Sequence, residues 1–276
     1  MNEQRYIDLL KNVLTDYHRM EYGEFKPLYS SHPNWKYRTL QKLDIILRKW
    51  NVYICVKNEF KKENRENGID WPSNAETMIG MKRLENIEFC IKKIIEDNIK
   101  GDLIETGVWR GGAVIFMKAI LDTYGIKDRV VWAADSFEGL PKPNSEIYIA
   151  DKDDKHYMTK ELAIPLEEVK KNFKKYDLLD ENVKFLKGWF KDTLPNAPIS
   201  NLSLLRLDGD MYESTMDGLN NLYPKLSAGG FVIIDDWGAV PACKEAVMDY
   251  RTKHNIKEEI HNIDGSGVYW RKNLPI

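Results

Sequence analysis

The chain has 276 residues, a formal net charge of −2, 43% hydrophobic and 30% charged residues. That is room for one large domain with or without an extension, and the near-neutral balance gives no global field for nucleic acid or an anionic membrane. No stretch approaches the ~20 apolar residues of a membrane span, and the opening "MNEQRYIDLLKNV" lacks the apolar core of a signal peptide, so a cytoplasmic protein is expected.

Residues 1 to about 57 read as helical. Ile7, Leu10, Val13, Leu14 and Tyr17 share one helical face, and Leu40, Leu43, Ile46, Leu47 and Trp50 share another. The stretch from Lys57 to Asp70, "KNEFKKENRENGID", is almost wholly polar and is expected to be mobile. Residues 1–70 are therefore expected to form an N-terminal helical extension with a mobile charged segment, and residues 71–276 the main domain. Pro72 and Ser73 mark a turn into a helix running to about Asn98, which buries Leu84, Ile87, Ile91, Ile94 and Ile95.

From Gly101 onward strands and helices alternate. "GDLIETGVW", "RVVWAADSF", "NVKFLKGWF", "LSLLRLDGD" and "GGFVIIDDW" read as strands, with helices after the first, second, fourth and fifth. "IKEEIHNI" and "GVYWRK" close the chain as an antiparallel pair around "DGSG". The expected fold is α/β, a doubly wound and mostly parallel sheet with an antiparallel C-terminal strand. Pro141 to about Lys160 has no periodicity; a loop of that length is usually functional or disordered. Its His156 reads first as an exposed loop histidine, with an acceptor contact as the alternative. Cys55, Cys90 and Cys243 are widely spaced and form no CxxC pair, which argues against zinc and for free thiols.

Two features carry chemistry. The first is the turn "ETGVWRGG", Glu105 to Gly112, between the first strand and its helix. Its glycines allow a tight turn and close ligand approach. It is not the GxGxxG of a pyrophosphate binder, and an acid at its head suits a ligand bearing an amine or sulfonium. Asp135 ends the next strand, where a carboxylate accepts hydrogen bonds from ribose hydroxyls. A cationic, ribose-bearing, phosphate-free ligand describes S-adenosylmethionine better than NAD. The bland alternative is a plain glycine turn and a strand-capping aspartate.

The second feature is two apolar runs that each end in paired acids, "LLRLDGD" and "VIIDDW". Ligands of open α/β sheets bind beyond the carboxyl ends of the strands, so Asp208, Asp210, Asp235 and Asp236 are expected at one rim. Packed carboxylates repel unless a cation intervenes, and hard oxygen donors without His or Cys point to Mg²⁺, Ca²⁺ or Mn²⁺. Against this stands the ordinary use of Asp in caps and Asx-turns, or a pairing of Asp210 with Arg206.

"DWPSNAETMIGMKRLENI", "GDLIETGVWRGGAVIFMKAIL", "VWAADSFEGLP", "GWFKDTLP", "LRLDGDMYESTMDGL" and "GGFVIIDDWGAVPACKEAV" together resemble the macrocin O-methyltransferase family, whose members methylate sugar hydroxyls of macrolide and aminocoumarin antibiotics. The resemblance spans about Asp70 to Ile256. It implies a class I methyltransferase fold, S-adenosylmethionine converted to S-adenosylhomocysteine, and Mg²⁺. It puts metal ligands on Asp208, Asp235 and Asp236 and a general base on Asp210. It puts cofactor contacts on Thr77 and Met78 in the entry helix, on Glu105, Thr106, Gly107, Val108 and Trp109, on Asp135, Ser136, Phe137 and Gly139, on Gly188 and Trp189, and on Asp208.

The chemistry explains why such a site needs both parts. An alcohol near ~15.7 and an Asp near ~3.9 are roughly 12 pKa units apart, about 16 kcal/mol for full proton transfer. A divalent cation lowers that cost, and a vicinal diol could chelate it. The expected partner is a small glycosylated substrate, not nucleic acid or a membrane. Apolar N-terminal faces beyond the needs of one sheet imply a homodimer or larger homo-oligomer. A catechol acceptor, an NAD-dependent oxidoreductase and an inactive scaffold are the competing readings; the missing GxGxxG argues against the second and the four intact aspartates against the third.

Overall fold

The computed structural model describes residues 2–18, 24–28 and 37–273. The chain opens with α1 (Glu3–Leu14), capped by the Asn2 side chain, which accepts from the Gln4 N–H. Ile7, Leu10 and Leu14 are buried with α4 (Met81–Glu96) and α5 (Gly112–Thr123) in one core cluster. A second helix, Arg38–Leu47, agrees with the helical expectation for this stretch, whereas Glu24–Pro27 and the residues from Cys55 depart from it as strands; 19–23 and 29–36 lie outside the described residues. β1 (Glu24–Pro27) pairs antiparallel with β2 (Cys55–Asn58), and α2 (Arg38–Leu47) lies between them in sequence. Asn51 at φ 60° stops the helical turn that follows α2, and the run Val52–Val56, rich in β-branched and aromatic residues, then extends.

Helix α2 is inverted. Its polar Gln41 and Asp44 are buried, while Leu40, Leu43, Ile45 and Ile46 are exposed. Asp44 accepts from the Ile54 N–H at 2.8 Å and pairs with Arg48.

The polar stretch 57–70, expected to be mobile, carries the short helix α3 (Lys62–Asn67). Arg65 from α3 is buried and donates to the carbonyls of Met78 (2.5 Å) and Ile79 (2.9 Å). Those bonds take up two carbonyls just ahead of α4, and residues 72–80 form no helix. The entry helix therefore starts at Met81, after an extended Gly80, rather than at Ser73, and Thr77 and Met78 precede it.

The main sheet has seven strands in the order β5-β4-β3-β6-β7-β9-β8. These are β3 (Asp102–Thr106), β4 (Val131–Asp135), β5 (Val183–Lys187), β6 (Leu202–Leu207), β7 (Leu226–Ile234), β8 (His261–Asn262) and β9 (Val268–Arg271). The first five are parallel, and β9 and β8 close the edge antiparallel, as expected. Alternation along the strands feeds two cores. Leu103, Val131, Ala133, Leu204, Phe231 and Ile233 pack with α1, α4, α5 and α6 (Leu166–Lys175). Ile104, Trp132, Ala134, Leu205, Val232 and Ile234 pack with residues of α8 (Tyr212–Leu222) and α9 (Pro241–Lys253). A short α7 (Phe190–Thr193) follows β5. Strand order runs outward in both directions from β3 and β6, so the crevice of a doubly wound sheet falls at their carboxyl ends. No helix among the described residues is long and apolar enough to cross a membrane.

Candidate active site

The parallel register explains why the acids converge. Glu105, Arg206 and Ile233 form one row across β3, β6 and β7. Two residues further along each strand, and so on the same face, come Gly107, Asp208 and Asp235. The ladder continues just past the strands: the Gly107 N–H donates to Ala134 O, Asp208 N–H to Thr106 O and Asp235 N–H to Leu207 O, each at 2.9 Å. Asp208, Asp235 and Asp236 are thereby brought together, each offering an oxygen within 4.8 Å of the others.

Two buried arginines set the charge balance; the sequence suggests Arg206 only as a partner for Asp210, and Arg83 was not expected from it. Arg206, with no exposed side-chain surface, binds Glu105 Oε1, Asp208 Oδ2 at 2.8 Å and Asp235 Oδ1. It makes no ion pair with Asp210. Arg83 of α4 binds Asp235 Oδ2, and Asp264 Oδ2 at 2.6 Å. Among the described residues Asp210 and Asp236 have no ion pair with an arginine. Burial and the crowding of acids push Asp208 up to about 6 and Asp210 up to about 7, and hold Asp236 well above the usual carboxylate range. Burial raises Glu105 to about 8 even against the pull of Arg206.

This donor set fits a hard divalent cation. Its ligands would be the carboxylate oxygens of Asp208, Asp235 and Asp236. Asp236 Oδ2 also accepts the Asp210 N–H at 3.2 Å, which ties the prospective base to the cluster. The turn here is not made where the glycine suggests. Asp210 itself adopts φ 57°, while Gly209 is absent from the left-handed region. Asp tolerates that conformation better than most residues, and such strain gathers at functional sites.

Beside the cluster lies a cavity of about 440 Å³, of the size that takes a small ligand. Most of the expected contact residues line it: Thr77, Met78, Glu105, Gly107, Val108, Trp109, Asp135, Ser136, Gly139, Gly188 and Trp189, together with all four aspartates. Thr106 and Phe137 do not. The Thr106 carbonyl takes part in the ladder, and the buried Phe137 ring packs on Phe185 at a centroid distance of 6.3 Å. Glu105 Oε2 is buried without a hydrogen-bond partner among the described residues. A buried carboxylate oxygen left open calls for a cationic donor, so the cavity fits a ligand bearing an ammonium group. Asp135 accepts the N–H groups of Val108 and Phe137 at 2.7 Å each. It pins two loops together and also takes the Ser136 hydroxyl at 3.4 Å.

The glycines of the turn serve packing more than ligand approach. A Cβ on Gly107, at φ 83°, would lie 1.7 Å from the Asp208 carbonyl oxygen. On Gly112 it would sit 2.6 Å from Glu76 O and from the Thr77 side chain. The carbonyl of Asp208 thus occupies the space a side chain would need on the turn.

Comparison with known proteins shows the family to which the chain belongs. Residues 3–272 match the macrocin O-methyltransferase (TylF) family. The chain is 55% identical over 214 residues to demethyldecarbamoylnovobiocin O-methyltransferase of Streptomyces niveus, covering 77% of this chain and 82% of the relative. It is 51% identical over 223 residues to mycinamicin III 3''-O-methyltransferase of Micromonospora griseorubida, covering 80% and 87%. The solved structure of the O-methyltransferase NovP superposes with a TM-score of 0.84 at 44% identity, over 99% of this chain and 100% of that one. A calicheamicin methyltransferase, CalS11, shares the fold at 19% identity and a TM-score of 0.56, over 69% and 79%. This chain belongs to the macrocin O-methyltransferase family.

Proposed function

We propose that the protein transfers a methyl group from S-adenosylmethionine to a sugar hydroxyl of a glycosylated natural product, with Mg²⁺ as its metal. The observation that carries this reading is the trio Asp208, Asp235 and Asp236 held beside Asp210 at the mouth of a cavity that also contains the open Glu105 oxygen. A bound divalent cation supplies electrostatic stabilisation of the negative charge that develops on the acceptor oxygen. The remaining work belongs to the chain.

Glu105 Oε2 takes the ammonium of the methionine part, and Asp135, lining the cavity at the end of β4, faces the ribose hydroxyls. Trp109 and Trp189 wall the cavity, and Thr77 and Met78 close it from the segment that Arg65 anchors. Asp210 accepts the hydroxyl proton as the methyl moves. Burial raises its affinity for a proton above that of an ordinary carboxylate, which narrows the gap to an alcohol. General-base help of this kind typically contributes ~10²–10⁴-fold, and alignment of the oxygen with the methyl can contribute ~7–11 kcal/mol. The relatives act on demethyldecarbamoylnovobiocin and mycinamicin III by their names, which supports a sugar hydroxyl as acceptor here.

The test is transfer of labelled methyl from S-adenosylmethionine to demethyldecarbamoylnovobiocin, mycinamicin III and catechol, with and without chelator. We expect transfer to a glycosylated acceptor that chelator abolishes and Mg²⁺ restores. Transfer to catechol alone, or full turnover in chelator, would overturn the reading. The outward apolar face of α2, with Leu40, Leu43 and Ile46 exposed, supports self-association into a homodimer or larger assembly. Light scattering at micromolar concentration checks it, and a monomer would refute it.

A further inference from the structure

The segment after β4 is fastened at both ends of the cavity. Asp151, 1% exposed, accepts the N–H of Tyr212 (2.7 Å) and of Glu213 (3.0 Å), the first residues of α8. A residue far back in the chain thus caps the helix that begins just after Asp210. Tyr148 packs on Tyr212 with ring centroids 5.9 Å apart. At the other end Trp109 Nε1 of the glycine turn donates to Glu161 O at 2.9 Å.

Between these fastenings sits a pair the mechanism above does not use. Asp154 holds His156 twice, Oδ1 accepting its backbone N–H at 2.9 Å and Oδ2 lying 2.6 Å from ring Nδ1. Nδ1 is therefore the protonated nitrogen in the neutral ring as well as in the charged one. Nε2 has no hydrogen-bond partner among the described residues, and the ring lines the cavity near Asp210.

We propose that Asp154 and His156 orient the acceptor: His156 Nε2 exchanges a hydrogen bond with a hydroxyl of the acceptor sugar, and Asp151 keeps the pair in place by capping α8. A hydroxyl both donates and accepts, so the contact survives in either charge state of the ring. The proposal rests on the reading of this cavity as a sugar methylation site. His156 contacts the sugar and leaves proton removal to Asp210, so its loss is felt in acceptor binding.

Two measurements test it on the full-length protein. ¹⁵N NMR above the titration of His156 should show the Nδ1–H tautomer, and Asp154→Asn should abolish that preference. An Nε2–H tautomer in the unaltered protein overturns the proposal whether or not an acceptor is known. With whichever of demethyldecarbamoylnovobiocin and mycinamicin III is methylated, His156→Leu should raise acceptor KM about tenfold. It should change kcat less than threefold and leave S-adenosylhomocysteine affinity unchanged. His156→Gln, whose amide can both donate and accept, should recover most of the loss. Asp151→Asn should raise acceptor KM in the same direction. Unchanged KM in His156→Leu, or equal damage in the Leu and Gln variants, overturns the proposal. If neither compound is methylated, the functional reading fails on its own account, while the tautomer still decides the geometry.

Discussion

Replacing Arg206 with Met tests how the acidic rim survives in the fold. The Arg206 side chain is fully buried and contacts Glu105, Asp208 and Asp235. Met fills much of the same volume but leaves three carboxylates facing one another with only Arg83 nearby. Removing one partner of a buried ion pair costs about 3–5 kcal/mol. In a domain of this size each kcal/mol lowers Tm by roughly 2–4 °C, so a fall of about 10 °C is expected at pH 8. The pH dependence gives the sharper check. Glu105 is raised to about 8 and Asp208 to about 6 with Arg206 in place, both above ordinary unfolded values near 4. Without the guanidinium they rise further. An acid raised in the folded state favours folding as its neutral form, so the ionisation penalty is absent below about pH 4 and grows as pH climbs toward the folded value. The deficit of the variant should therefore shrink on moving from pH 8 to pH 5.5. Thermal melts followed by circular dichroism, without added divalent ion, measure both numbers. A fall below about 3 °C at pH 8, or an equal fall at the two pH values, would refute the role given to Arg206.

The same acids link metal binding to pH. Ligand carboxylates must be ionised to bind, so the Tm gain from Mg²⁺ should be larger at pH 8 than at pH 6, and a flat profile would count against the cluster. Asp236→Asn should lose chelator-sensitive turnover while S-adenosylhomocysteine affinity, by calorimetry, changes less than about threefold. Asp210→Asn should lower kcat by ~10²-fold or more yet keep the Mg²⁺-dependent Tm gain; near-normal turnover removes it as the base. Gly107→Ala places a methyl 1.7 Å from the Asp208 carbonyl and should cost about 4 kcal/mol or more, read as loss of soluble, folded protein.

What the sequence conveyed tracks how local each cause is. Strand–helix alternation and the acids after apolar runs are local patterns, and they located the sheet and the cluster at its rim. Arg206 is expected only as a partner for Asp210, close by in sequence; an arginine inside "LLRL" calls for buried carboxylates, and the parallel register supplies Glu105 from the adjacent strand. The error over 72–80 has a long-range side, because the Met78 and Ile79 carbonyls are engaged by Arg65, from a stretch whose composition suggested disorder. The inversion of α2 likewise escaped periodicity, which finds an apolar face without saying which way it points. The glycine between Asp208 and Asp210 is a poor guide for a simpler reason. Glycine permits a left-handed turn without requiring one, and Asp210 makes it instead.

The contact between Gly107 and the Asp208 carbonyl has one more consequence. It is a backbone-to-backbone stop between the turn that lines the cofactor side of the cavity and the strand end that bears the acids. Side chains around the cavity can be exchanged without altering it. On the proposed reading, the reach from methyl donor to acceptor oxygen is gauged by main-chain atoms, while residues 141–162 and α8 vary which molecule is presented to that gauge. Acceptor range could then change freely among such enzymes while the transfer distance stays constant.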